Sequence, residues 1–73
     1  MNNLYTLLRT EGIRTKEYIY DVYSEPAFLG GTEVLTVRTF DANGVLKDVK
    51  YVETPEEAVQ YVESKLRHVY RRH

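Results

Sequence analysis

The chain has 73 residues, 42% of them hydrophobic and 29% charged, with a formal net charge of −1 and no cysteine. Disulfides and thiolate metal sites are therefore excluded, the hydrophobic content argues against disorder, and no apolar run is long enough to span a membrane as a helix. The length fits one small soluble domain, whose stability rests on its core or on oligomerisation. The N-terminus lacks the basic-then-apolar pattern of a signal peptide, so cytoplasmic residence is the default expectation. The charge is unevenly placed. Residues 1–63 carry six Lys/Arg and eleven Asp/Glu, whereas residues 64–73 carry Lys65, Arg67, Arg71 and Arg72 with no acid.

In chain order, Asn2 or Asn3 can cap a short first helix on which Leu4, Leu7 and Leu8 share a stripe. Gly12 is placed to end it, because glycine adopts the left-handed conformation at low cost. A strand is the competing assignment for this segment. Ile13 to Ser24 reads as one strand, rich in β-branched and aromatic types. Tyr18, Tyr20 and Val22 share one face and Ile19 and Tyr23 the other, so the pattern leaves the inward face open. Glu25-Pro26 closes the strand, since the residue before proline is driven from the helical region. Ala27 to Gly31 forms a loop, with Phe28 and Leu29 folded over an edge of the core.

Thr32 to Phe40 and Val45 to Glu53 read as two further strands. Asp41-Ala42-Asn43-Gly44 between them fits a three-residue hairpin loop with Gly44 in the left-handed region. That loop pairs Phe40 with Leu46, Arg38 with Asp48, Val37 with Val49, Leu35 with Tyr51 and Val34 with Val52. Apolar then meets apolar and opposite charges face each other. A two-residue Asn43-Gly44 turn would instead set Val37 against Lys50 and Thr39 against Asp48. The three-residue register places Leu35, Val37, Val49 and Tyr51 on one face, a floor for a helix.

The last helix carries the clearest local signal. Thr54 and Glu57 have the spacing of a capping box, Pro55 occupies the first helical position, and Glu56 and Glu57 face the positive end of the helix dipole. Ala58, Val59, Val62, Leu66, Val69 and Tyr70 recur at helical spacing up to about Tyr70. Glu63 and Arg67 stand in the favourable i,i+4 order.

Motifs that carry chemistry are missing. Gly30-Gly31 has neither dinucleotide nor Walker spacing. Ser24 and Ser64 have no histidine nearby in sequence, and His68 and His73 do not have the spacing of a helical metal pair. No enzymatic role, cofactor or metal is expected. Seven tyrosines in so short a chain serve either half-buried structural positions or a contact surface.

The order helix, three strands, helix, with Leu4, Leu7 and Leu8 in the first helix, Glu25-Pro26 after the first strand and Ala58 in the last helix, resembles the layout of the double-stranded-RNA-binding domain. That family grips phosphates with lysines at the start of its last helix, where Pro55, Glu56 and Glu57 stand here. Its Pro-His contact between the first two strands is replaced by Pro26-Ala27-Phe28. The resemblance thus implies a fold and carries over no functional residue.

The expectation is a single α+β domain over residues 1–73, in α-β-β-β-α order. A three-stranded antiparallel meander packs on the C-terminal helix, with the N-terminal helix alongside. The expected function is a non-enzymatic protein-interaction module or small regulator, a profile shared by accessory and inhibitor proteins of phage and mobile elements. Tyr18, Tyr20, Tyr23, Phe40, Lys65, Arg67, Arg71 and Arg72 are the candidate contacts, and a homodimer is left open. The alternative is nucleic-acid binding through the basic end of the last helix, weakening steeply with salt. No membrane contact is expected.

Overall fold

A computed structural model describes residues 3–25 and 34–70. The elements are α1 (Asn3–Thr10), β1 (Ile13–Arg14), β2 (Tyr18–Glu25), β3 (Val34–Asp41), β4 (Leu46–Val52) and α2 (Pro55–Tyr70). The strands form one antiparallel sheet in the order β1-β2-β3-β4. The α+β class holds, but the sheet has four strands, not three. The segment read as one strand from Ile13 folds back at Thr15. The Thr15 N–H and hydroxyl both donate to the Tyr18 carbonyl, at 2.7 and 3.0 Å, and the Tyr18 N–H returns a bond to the Thr15 hydroxyl at 3.0 Å. A side chain that satisfies backbone groups locally competes with a continuous strand.

Helix α1 ends as expected at a left-handed glycine. The N–H groups of Glu11 and Gly12 both donate to the Leu7 carbonyl, at 2.9 and 2.8 Å, and Gly12 has φ of +80°. Its inward stripe is narrower than Leu4, Leu7 and Leu8 suggest. Leu8 is fully buried and Leu4 and Tyr5 pack beside it, while Leu7 is exposed.

One face of the sheet carries both helices. Tyr20 and Val22 of β2 and Val37 of β3 meet Leu8 of α1 and Ala58 and Val62 of α2 in a single core cluster. Ile13, Tyr18, Val52, Tyr61 and Leu66 pack around it. The inward face of β2 is therefore the Tyr18, Tyr20, Val22 face.

The hairpin loop has the expected three-residue form. Asp41 N–H donates to the Val45 carbonyl and Gly44 N–H to the Asp41 carbonyl, each at 2.9 Å. Gly44 has φ of +87°. The Asp41 carboxylate accepts from the N–H groups of Asn43 and Val45, and these bonds, Val45's first, hold its pKa below the ordinary value. The expected register survives only at Phe40–Leu46. Lys47 is a bulge residue without a partner, and beyond it Thr39 pairs with Asp48, Arg38 with Val49, Val37 with Lys50, Thr36 with Tyr51 and Leu35 with Val52. A one-residue slip sends every later side chain to the other face. Leu35 and Val37 remain a floor for α2, but Val49 and Tyr51 lie on the face away from it. The gain on the helix side is Val52 against the core and Asp48 within reach of α2, where it accepts from the Tyr61 hydroxyl at 2.8 Å.

Helix α2 begins with the expected capping box. Glu57 N–H donates to the Thr54 hydroxyl at 3.1 Å, and the Glu57 carboxylate accepts from the N–H groups of Glu53 and Thr54 at 2.7 and 3.3 Å. Glu63 and Arg67 form no ion pair; the salt bridge among the described residues is Arg38–Asp21. The loop expectations for Pro26 to Gly31 lie outside the described residues.

Candidate functional site: the open face of the sheet

The face of the sheet opposite the helices is built by strand alternation. Side chains paired in register share a face, so the pairings define four rows, the outermost being Glu25 with Val34. Arg14, Ile19, Phe40 and Leu46 form the first, Asp21, Arg38 and Val49 the second, and Tyr23, Thr36 and Tyr51 the third. Four of the large apolar side chains most exposed among the described residues lie here: Tyr23, Leu46, Val49 and Tyr51, the last at 69%. Thr36, flanked in register by Tyr23 and Tyr51, is buried.

Arg38 organises the centre. Its Nε and Nη2 donate to the two carboxylate oxygens of Asp21, each at 2.8 Å. Its guanidinium carbon stands 4.8 Å from the Tyr23 ring centroid and 5.3 Å from that of Phe40. The hydrogen bonds to Asp21 raise the guanidinium pKa above its ordinary value, against a smaller opposing effect of burial. A planar fork with five donors uses two of them on Asp21, and its side chain is 35% exposed. The remaining donors are available to an incoming acceptor. The expected Arg38–Asp48 pair does not form, because the bulge at Lys47 places these two residues on opposite faces.

The other residues singled out from sequence fall elsewhere. Tyr20 is 2% exposed, so it is core; burial raises its pKa, with smaller contributions from Tyr18 and Glu17. Tyr18 is half-buried on the helix side, its ring 6.3 Å from that of Tyr20. Lys65 is exposed on α2 with its ammonium 5.2 Å from the Tyr61 ring centroid. Arg67 is exposed, and Arg71 and Arg72 lie outside the described residues. The structure thus brings Tyr23 and Phe40 together, and it adds Asp21, Arg38, Val49 and Tyr51 to them. Sequence reasoning had the means to find Asp21 and Arg38, since both sit mid-strand among apolar neighbours, but it assigned Arg38 the wrong partner.

A second, shallower feature lies between β4 and α2. A groove of about 640 Å³ is lined by Lys50, Tyr51, Val52, Glu53, Glu57, Gln60 and Tyr61. The hydroxyl of Tyr61, one of its lining residues, has a pKa pushed up to about 12, by burial first and then by its bond to Asp48. Among the described residues, no cluster of His, Cys, Asp or Glu side chains is arranged to hold a metal ion. No described helix is long and apolar enough to cross a membrane.

Comparison with protein-family models, with curated proteins and with solved structures finds no match to this chain. The site is therefore read from its own chemistry.

Proposed function

We propose that this chain is a non-enzymatic protein-interaction module that binds its partner through the open face of the sheet. The observation that supports this most directly is the cluster of Tyr23, Phe40, Val49 and Tyr51 around a pre-oriented Arg38. Protein interfaces draw most of their binding energy from a few aromatic and arginine residues at a well-packed centre. Arginine and tyrosine are also enriched there relative to the rest of the surface. The Asp21 bidentate pair fixes the guanidinium before binding, so less side-chain entropy is lost when the partner arrives. The chemistry selects a partner that offers an apolar strip and a hydrogen-bond acceptor, such as a carboxylate or backbone carbonyl, for the unused donors of Arg38.

The test places a photo-crosslinking amino acid at position 51, and at exposed position 63 as a control, in cells of the source organism. The proposal expects a protein other than a second copy of this chain captured from position 51 and not from position 63. The variant Tyr23→Asp/Tyr51→Glu, once circular dichroism shows that it folds, should fail to retain that protein in a pull-down. Equal capture from both positions, or retention by the double variant, overturns the reading.

A further inference from the structure

Strand β4 is the edge of the sheet, and among the described residues its outer side has no strand beside it. An unpaired edge is a row of backbone donors and acceptors that another strand can take up. The sequence of this edge restricts which strand fits. From Asp48 to Lys50 it reads Asp-Val-Lys, so read antiparallel against itself it is charge-complementary.

The two-fold geometry sharpens this. If a second copy adds its β4 in antiparallel fashion about an axis perpendicular to the sheet, paired residues must point to the same face, so the axis passes through a residue pair. Centring on Asp48 sets Asp48 against its own copy, and centring on Lys50 sets Lys50 against its own copy. Both put like charges directly opposite each other, which is destabilising. Centring on Val49 sets Val49 on Val49 and gives two Asp48–Lys50 pairs across the junction, one on each side of the axis. Lys50 makes no ion pair within the described residues, where the salt bridge is Arg38–Asp21. Asp48 holds the Tyr61 hydroxyl through one carboxylate oxygen, Oδ2, and Oδ1 is left for a cation.

The helices fit the same arrangement. Helix α2 lies across β3 and β4, and adjacent strands stand about 4.8 Å apart. The two copies of α2 would then run side by side about 10 Å apart, a normal helix-packing distance. The groove bounded by Lys50, Glu57, Gln60 and Tyr61 opens at this edge and becomes the seam between them.

We propose that the chain forms a two-fold dimer by antiparallel pairing of β4 with β4 of a second copy, centred on Val49, giving a continuous eight-stranded sheet. This inference does not rest on the open-face reading. The edge makes the dimer, and the two open faces remain side by side on its far surface.

The test is sedimentation equilibrium of the full chain from about 1 μM to about 1 mM, the range in which a junction of one strand and two or so ion pairs assembles. The wild type is expected to dimerise. Lys50→Asp, at an exposed position, should weaken dimerisation at least about tenfold, because both junction pairs become acid against acid. Asp48→Lys should do the same with the opposite sign. An equimolar mixture of the two variants should recover a dimer, since every facing pair is again opposite in charge. Circular dichroism checks that each variant is folded. If Asp48→Lys fails to fold for loss of the Tyr61 bond, Lys50→Glu alone and with added salt supplies the comparison, salt relieving its repulsion. A wild type that stays monomeric throughout overturns the proposal. So does a dimer indifferent to Lys50→Asp. A dimer lost in Phe40→Asp but intact in Lys50→Asp overturns it too, by moving the second copy to the open face.

Discussion

At the scale of single residues, the polar groups beneath the helices separate into satisfied and unsatisfied ones. Thr39 is buried on the helix side of β3, and its hydroxyl has no hydrogen-bond partner. A buried hydroxyl without a partner costs free energy that an apolar group of the same shape does not. Thr39→Val should therefore leave the fold intact and raise its stability by about 1 kcal/mol. Urea denaturation measures this, and a loss of stability would show that the hydroxyl has a role the static contacts do not display. Tyr61 is the contrasting case. Its hydroxyl is half-sheltered and donates to Asp48, and its pKa rises from 10.0 to about 12. The folded state favours the neutral phenol, so this contribution to stability is complete below pH 10 and is lost as the pH rises from there toward 12. In an ultraviolet titration of tyrosinate, Tyr61→Phe should remove a late-titrating component, and Asp48→Asn should bring that component earlier. Burial, the larger cause, should keep it above the ordinary tyrosine value. A component unmoved by Asp48→Asn would count against the Tyr61–Asp48 bond.

At the scale of elements, the start of α2 and the end of α1 each depend on one local device. The Thr54–Glu57 box satisfies the N–H groups of Glu53, Thr54 and Glu57 at the start of α2. Thr54→Ala should cost about 1 kcal/mol, read from chemical denaturation, because a cap substitution of this kind leaves a helix donor unpaired. Gly12 ends α1 at φ of +80°, and a Cβ there would stand 2.9 Å from the Tyr20 carbonyl oxygen. Gly12→Ala meets both a backbone conformation unfavourable to alanine and a clash with β2, so it should cost more than about 1 kcal/mol. Gly44 has a similar φ but open space around it, and Gly44→Asn should cost markedly less in the same experiment. These two devices were fully legible in the sequence because each is set by a few adjacent residues. The sheet was less so. β4 reads Leu46-Lys47-Asp48-Val49-Lys50-Tyr51-Val52, and either face of it carries both charges and apolar groups. Choosing the Val37–Val49 pairing by matching like with like overlooked that a bulge at Lys47 brings Val52 to the core and Asp48 to Tyr61, two long-range gains that no local rule weighs. The turn at Thr15 was hidden for a related reason, since Thr15-Lys16-Glu17 contains neither glycine nor proline. The open face followed from the same error. With Val49 and Tyr51 assigned to the helix side, only Tyr23 and Phe40 of its cluster could be named.

At the scale of the whole molecule, two helices cover one side of the sheet and, among the described residues, leave the other side and the outer edge of β4 bare. The resulting stability should be graded across the strands. β3 is paired on both sides from Leu35 to Phe40 and β2 on both sides at Ile19 and Tyr20, and the two strands carry the buried Tyr20, Val22, Leu35 and Val37. The amides of these doubly paired stretches should open only with global unfolding and exchange slowest. β4 is paired on one side, and its side chains are almost all exposed. Alternate N–H groups along an edge strand point outward, so half of its amides should exchange at nearly the rate of an open chain in dilute solution, while the inward ones follow β3. This gradient gives the proposed dimer a signature independent of mass. A second β4 at the edge would take up the outward N–H groups, so in the proposed dimer their protection should rise with protein concentration, whereas protection in the interior of β2 should change only as far as the dimer stabilises the whole fold. Residue-resolved hydrogen exchange at low and high micromolar concentration reads both effects at once. Outward β4 amides that exchange equally fast at both concentrations, in a sample shown to be dimeric, would mean the second copy sits elsewhere than at this edge. Slow exchange of those amides even in the dilute monomer would mean that the edge is already covered within one chain, and the charge pattern from Asp48 to Lys50 would then need a different reading.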